Sequence, residues 1–121
     1  MVEPQIPSIR VQELCSRVQQ GERLALLDVR TSEEYEAVHA AGAILIPLDQ
    51  FTHENVVSRL TAAGLAPTDP IYVLCHSGRR AMTACERVIH ELPNVIHIQG
   101  GTLAWAQEGL PVARGSEPYE S

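Results

Sequence analysis

Short apolar runs alternate with stretches of helical periodicity along the chain, and this alternation constrains the fold more than any other feature. Strands are predicted at residues 24–29, 43–47, 71–74 and 95–98, with a short edge strand near Ile6. Helices are predicted at residues 8–20, 32–39, 52–63, 79–92 and 103–108. Strands that alternate with helices are typical of an α/β domain with a mostly parallel central sheet.

The length of the chain indicates one domain. A chain of 121 residues can bury about two-thirds of the surface that it exposes when unfolded. The last predicted element is followed by a polar stretch, so we expect a single domain over residues 1–113 and a polar C-terminal tail over residues 114–121.

The charge of the chain argues against polyanionic partners. The formal net charge is -6, so we expect neither nucleic acid nor an anionic membrane surface as a partner. All nine basic residues are arginine, which excludes chemistry that needs a lysine. Arg79 and Arg80 are adjacent in this acidic chain and predict a local site for an anion.

The cysteine pattern favours a reducing compartment. Cys15, Cys75 and Cys85 are too few and too irregularly spaced for a disulfide framework, and no Cys-x-x-Cys pair is present. The first ten residues lack the apolar stretch of a signal peptide, and no apolar run approaches the roughly 20 residues of a membrane span. A cytoplasmic location is therefore the expectation.

Cys75 lies between the predicted strand 71–74 and a predicted helix that begins near Arg79. Backbone N–H groups and the positive end of a helix dipole stabilise a thiolate in this position, and the thiolate is the reactive form. Gly78 permits a tight loop, and Ser77 offers a hydroxyl donor. Arg80 can hold an oxyanion in a forked geometry. The segment predicts a nucleophilic cysteine in an anion-binding loop.

Two other interpretations of Cys75 are less favoured. A buried structural cysteine would not explain the neighbouring glycine and paired arginines, although that interpretation suits Cys15 and Cys85 on apolar helix faces. Tyrosine and dual-specificity phosphatases carry Cys-x5-Arg, whereas here the arginine comes one residue earlier, at Arg80, and Ala81 follows. The shorter loop favours a smaller reacting atom than phosphorus, such as sulfur.

The histidines do not predict a metal site. His76 lies in the loop, where contact with a ligand and exposure to solvent are both open. The other four are expected to be structural or surface residues, namely His39, His53, His90 and His97. Their spacing matches no metal motif, and no nucleotide-binding or hydrolase motif occurs, so neither a metal nor a cofactor is expected.

Three separated segments of the chain carry a recognisable pattern. They are Leu27-Asp28-Val29-Arg30, Glu34-Tyr35, His39 and the run 41–48, then the loop 75–80, then Gly100-Gly101, Trp105 and Gly109-Leu110-Pro111-Val112. These segments, in this order, resemble the single-domain rhodanese family of sulfurtransferases. Val38 and Ala40 depart from the glycine and isoleucine that usually flank His39, and the family varies at the position of Arg79.

The resemblance implies a three-layer fold with helices on both faces of the sheet, and a thiosulfate sulfurtransferase that works through a persulfide on Cys75. Residues His76, Ser77, Gly78, Arg79 and Arg80 would then bind the substrate. Asp28, Arg30 and Glu34 would support the site through an ion-pair network, with Glu34 pairing Arg30. Trp105 is expected to pack in the core.

The implied partners are a small anionic sulfur donor and a cyanide or thiol acceptor. The donor would be a compound such as thiosulfate. A second hypothesis is a persulfide relay or regulatory sulfur carrier that exchanges sulfur with a partner protein.

Overall fold

Five parallel strands form the central sheet. The computed structural model describes residues 5–76 and 79–119. Numbered in chain order, the strands are β1 (Ser8–Arg10), β2 (Ala25–Asp28), β3 (His39–Ala40), β4 (Ile44–Leu45), β5 (Ile71–Leu74), β6 (Val95–Gln99) and β7 (Val112–Ala113). The sheet has the order β1-β6-β5-β2-β4, and β3 pairs with β7 in a separate antiparallel ladder. The predicted α/β class with a mostly parallel sheet is confirmed.

Helices cover both faces of this sheet and make two separate cores. They are α1 (Cys15–Gln19), α2 (Ser32–Ala37), α3 (His53–Ala62), α4 (Arg79–Val88) and α5 (Gly101–Gln107), with 3-10 turns at Val11–Glu13 and Leu48–Gln50. Side chains of α3 and α4 fill the core on one face. The opposite core contains Tyr35 of α2 and Trp105 of α5. This arrangement confirms the three layers.

Alternation along β5 determines where the cysteine side chain lies. Ile71 and Val73 belong to the core beneath α3 and α4, whereas Tyr72 and Leu74 belong to the opposite core. Successive side chains of a strand point to opposite faces. Cys75 continues the alternation and belongs to the core beneath α3 and α4.

The start of the chain differs from the prediction. Residues 8–20 were expected to form one helix, but Ser8–Arg10 is an edge strand that pairs with β6. The His97 N–H donates to the Pro7 carbonyl at 2.8 Å, which extends the contact between the two segments. Only the second half of the predicted stretch is an α-helix. The first residues make their backbone hydrogen bonds by pairing at the sheet edge, so they do not continue the helix. The edge strand was expected near Ile6, and it begins two residues later, at Ser8.

The described part of the C-terminal segment contacts the domain. The Gly115 N–H donates to the Glu36 carbonyl, and the Gly42 N–H donates to the Pro118 carbonyl, each at 2.9 Å. The buried His39 ring places Nε2 3.1 Å from the same Pro118 oxygen. Three hydrogen bonds therefore connect residues 114–119 to the chain around α2 and β3.

Candidate active site

The backbone of Cys75 and His76 is fixed by the start of α5. The Thr102 N–H donates to the Cys75 carbonyl at 2.7 Å, and the Leu103 N–H donates to the His76 carbonyl at 3.1 Å. Both donors belong to the first turn of a helix, where N–H groups have no partner within the helix. The loop after β5 is thus attached to an element almost thirty residues further along the chain. Cys75 itself is buried, with 1% of its surface exposed.

Gly101 is the residue that allows this close approach. A Cβ atom at position 101 would lie 2.1 Å from the Cys75 carbonyl oxygen, well inside van der Waals contact. The backbone of Gly101 also has a φ of +56°, which L-residues with side chains rarely adopt. Its role at the loop was not foreseen from the sequence, although two adjacent glycines before a helical pattern were the available signal.

Arg80 forms a two-pronged ion pair with Glu34. Its Nη1 and Nη2 donate to the two carboxylate oxygens at 2.7 and 2.8 Å. The predicted pairing of Glu34 with Arg30 is wrong, because Arg30 turns back to Asp28 and Arg80 of α4 reaches Glu34 instead. Hydrogen bonds from Arg80, and then from Thr31, lower the pKa of Glu34 from 4.5 to about 2.

The ion pair with Glu34 occupies the Arg80 guanidinium. The pKa of the guanidinium is raised chiefly by its hydrogen bonds to Glu34. Both terminal nitrogens of Arg80 are therefore engaged by a carboxylate of the protein. Substrate binding by Arg80 remains a prediction.

Asp28 and Arg30 form a buried ion pair at the end of β2. The Asp28 carboxylate accepts from the Arg30 backbone N–H at 3.0 Å and from its Nη2 at 2.9 Å. Arg30 Nη2 also donates to the Val38 carbonyl at 2.6 Å. The pair is shielded from water and its donors and acceptors are matched, so its direct effect is to hold the β2–α2 connection to the end of α2.

Of the remaining predicted binding residues, the structure describes His76 and Arg79. His76 and Arg79 are exposed, and Arg79 begins α4. Ser77 and Gly78 lie outside the described residues, so their predicted roles as hydroxyl donor and tight-turn residue stay predictions.

A cleft that the sequence did not reveal lies beside the loop. Its volume is about 340 Å³. It is lined by Val29, Arg30, Thr31, Pro47, Leu48, Asp49, Arg80 and Arg87. The Val29 N–H donates to the Leu74 carbonyl at 3.0 Å, so one wall of the cleft adjoins the residue before Cys75. The cleft brings together residues that follow β2, residues that follow β4 and two arginines of α4, which are distant from one another in sequence.

The other two cysteines and Trp105 have structural surroundings. Cys85 is fully buried, and burial raises the pKa of its thiol to about 12, so it remains protonated at neutral pH. Cys15 is half-buried, and its Sγ donates to the Val11 carbonyl. Trp105 is buried as expected. Within residues 5–76 and 79–119, no group of three or more potential ligands could hold a metal ion.

Cys75 lies at the carboxyl end of a central parallel strand of an α/β domain, the position where such sheets bind ligands, and the helix that carries Arg79 and Arg80 begins four residues later. A family model described as "Rhodanese-like domain" matches residues 11–108. The chain belongs to that family, which confirms the resemblance of its three sequence segments.

Relatives and solved structures agree with this assignment. The putative sulfur carrier protein YrkF of Bacillus subtilis is 35% identical over 101 residues, which cover 83% of this chain and 51% of that protein. Thiosulfate sulfurtransferase 16, chloroplastic, of Arabidopsis thaliana is 35% identical over 91 residues, covering 70% of this chain and 76% of the relative. The solution structure of a rhodanese-like domain from Anabaena sp is 26% identical with a TM-score of 0.72, covering 93% of this chain and 82% of that chain.

The relatives differ in length and in the activity that their names state. The chain spans about half of the Bacillus protein and 26% of a probable adenylyltransferase/sulfurtransferase of Mycobacterium tuberculosis. Their names describe sulfurtransferases and sulfur carriers, so sulfur transfer is common to these relatives. No helix in the described part of this chain is long and apolar enough to cross a membrane.

Proposed function

We propose that the protein is a sulfurtransferase that carries sulfane sulfur as a persulfide on Cys75. The observation that carries the proposal is the placement of Cys75 between the end of β5 and the start of α4, with its carbonyl held by α5. Sulfur transfer by relatives with 34–35% identity supports the same reaction class. A reducing cytoplasm is the proposed setting, since it keeps the thiol out of disulfides.

The first half-reaction loads the cysteine. The Cys75 thiolate attacks the outer sulfur of a donor such as thiosulfate, a new S–S bond forms, and the S–S bond of the donor breaks. The electron pair of that bond leaves with sulfite, so no external oxidant or reductant is needed. The persulfide then passes its outer sulfur to cyanide or to a thiol, and Cys75 returns as a thiolate.

The two arginines have different parts in this mechanism. Arg79 is exposed at the start of α4 and attracts the anionic donor and the departing sulfite. Arg80 is held by Glu34 and adds positive potential near Cys75 without leaving its ion pair. Because the two arginines are in position before the reaction starts, their positive potential stabilises the negative charge that develops on the donor and on the persulfide.

A sulfur relay with a protein partner is the second candidate. It is favoured by the similarity to a putative sulfur carrier protein, of which this chain spans about half. The burial of Cys75 favours small donors over a protein donor, because a buried sulfur is easier for a small anion to reach. Persulfide loading by a protein donor, with no loading by thiosulfate, would favour the relay.

Intact mass spectrometry after thiosulfate treatment, together with a thiocyanate assay, tests the proposal. The wild type should gain the mass of one sulfur atom and form thiocyanate from cyanide, whereas Cys75→Ser should do neither. Cys15→Ser is a matched control, since its half-buried thiol donates to a carbonyl that a hydroxyl can also reach. If Cys75→Ser formed thiocyanate at the wild-type rate, the assignment of the nucleophile would be wrong.

A further inference from the structure

The cleft beside the loop is larger than the sulfur donor requires. Its volume of about 340 Å³ exceeds what thiosulfate, sulfite or cyanide would fill. It lies at the carboxyl ends of β2 and β4, where parallel sheets bind ligands. Val29 lines it and donates its N–H to the carbonyl of Leu74, the residue before Cys75, so a ligand in the cleft would lie close to the loop that carries Cys75.

The cleft has an apolar wall and two exposed residues of opposite charge. Val29, Pro47 and Leu48 supply the apolar surface. Arg87 is exposed, and its Nη1 donates to the Leu48 carbonyl at 2.7 Å. Asp49 is also exposed.

The charges of the remaining lining residues are already satisfied. Arg30 is paired with Asp28, and Arg80 is paired with Glu34. The salt bridges among the described residues include neither Arg87 nor Asp49. The cleft therefore offers one cation and one anion to a ligand.

We infer that this cleft binds the sulfur acceptor, and that the acceptor is a zwitterionic aminothiol, either a thiol amino acid or a short thiol peptide. The inference rests on the proposed function. Arg87 would bind the carboxylate of the acceptor, Asp49 would bind its ammonium group, and the apolar wall would contact its carbon chain. A purely anionic ligand would be repelled by Asp49, and an uncharged thiol would use neither charge.

The transfer itself balances without another reactant. The thiolate of the acceptor attacks the outer sulfur of the Cys75 persulfide, and an S–S bond forms on the acceptor. The S–S bond at Cys75 breaks, and its electron pair returns Cys75 to the thiolate. The acceptor leaves as a persulfide. The pH of the solution decides whether this persulfide takes a proton from water or stays ionised.

Four acceptors separate the two charges of the proposed subsite. Cysteine carries both groups, N-acetylcysteine lacks the ammonium, cysteamine lacks the carboxylate, and 2-mercaptoethanol lacks both. The measured quantity is kcat/KM for each acceptor with thiosulfate as donor. Comparing each variant with the wild type on one acceptor removes differences in the intrinsic reactivity of the thiols.

Arg87→Gln should lower kcat/KM about tenfold for cysteine and N-acetylcysteine, with a much smaller effect on cysteamine, because one charge-assisted contact is lost. Asp49→Asn should lower kcat/KM for cysteine and cysteamine, with a much smaller effect on N-acetylcysteine. Arg23→Gln is the matched control for Arg87, since Arg23 also donates to a backbone carbonyl, that of Ala63, and lies away from the cleft. Asp69→Asn is the corresponding exposed carboxylate control.

The outcomes distinguish the subsite from the proposed function. If both variants lower kcat/KM equally for all four acceptors, or leave all four at the wild-type value, the subsite assignment is overturned while sulfur transfer stands. If thiosulfate does not load wild-type Cys75, or the loaded protein transfers sulfur to no acceptor, the proposed function fails as well. Thermal unfolding of each variant shows whether an equal loss comes from damage to the fold.

Discussion

Glu34 serves two parts of the site at once. Its Oε1 accepts from the Thr31 N–H at 3.1 Å, which completes a capping box at the start of α2. The same carboxylate accepts hydrogen bonds from both terminal nitrogens of Arg80. Glu34 therefore caps α2 and also anchors α4, the helix that follows Cys75. Through this residue the β2–α2 connection is joined to the loop.

Removing the charge of Glu34 should make stability less dependent on acidic pH. The folded-state pKa of Glu34 is lowered to about 2, so its contribution is present above about 4.5 and is lost as pH falls towards 2. Because both side chains are about one-third exposed, solvent limits the contribution to roughly 0.5–1 kcal/mol. Urea unfolding should find Glu34→Gln less stable than the wild type by about this amount at pH 7, with a smaller gap at pH 3 and below.

Glu33→Gln is the control for this experiment. Glu33 is an exposed glutamate in the same first helical turn, and it takes part in no salt bridge among the described residues. Its removal should change the stability less than that of Glu34 at pH 7. A gap between Glu34→Gln and the wild type that stays the same at pH 3 and pH 7 would contradict the role given to the ion pair.

At the scale of elements, local signals predicted what depends on neighbours in sequence. Strand β5 has the predicted bounds, and α4 begins at the predicted residue, since an apolar run, a glycine loop and an amphipathic stretch are all local patterns. The contact of α5 with the loop and the Arg80–Glu34 pair were not predicted, because both join residues far apart in the chain. Helical periodicity in residues 8–20 was misleading for the same reason: pairing with β6 decides the conformation of Ser8–Arg10.

The attachment of the loop to α5 predicts a specific effect of Gly101→Ala. The new methyl group would overlap the Cys75 carbonyl, so the loop and the start of α5 must separate. We expect a large fall in the thermal midpoint and a loss of sulfur transfer, both measured on the same preparation. Gly109→Ala is the control, because Gly109 also has a positive φ of 73° but a Cβ there would meet no atom within 4 Å.

The control separates steric overlap from backbone strain. Gly109→Ala should cost only about 1–2 kcal/mol, which is the cost of placing an L-residue in the left-handed region. Its rate of sulfur transfer should stay near that of the wild type. Equal losses of activity in the two variants would mean that the close approach of Gly101 to Cys75 is not what positions the loop.

At the scale of the whole molecule, the two cores depend on different parts of the chain. The buried residues of the core that contains Cys75 all lie between Ala25 and Val95, with the partly buried Ile6 packed against them. The opposite core includes Val11 and Leu14 from the start of the chain and Leu110 from near its end. Changes at the ends of the chain should therefore act first on the core that does not contain Cys75.

Deleting residues 114–121 tests whether residues 1–113 form a self-sufficient domain. The deletion removes the bonds of Gly115 to Glu36 and of Pro118 to Gly42 and His39. At about 1 kcal/mol for each of these hydrogen bonds, we expect a loss of roughly 1–3 kcal/mol in the free energy of unfolding, with sulfur transfer retained. A chain that ends at Tyr119 keeps these contacts and should unfold like the wild type in the same urea titration. If the chain that ends at Ala113 showed no cooperative unfolding, residues 114–119 would belong to the domain, because the buried His39 ring and its neighbours depend on them.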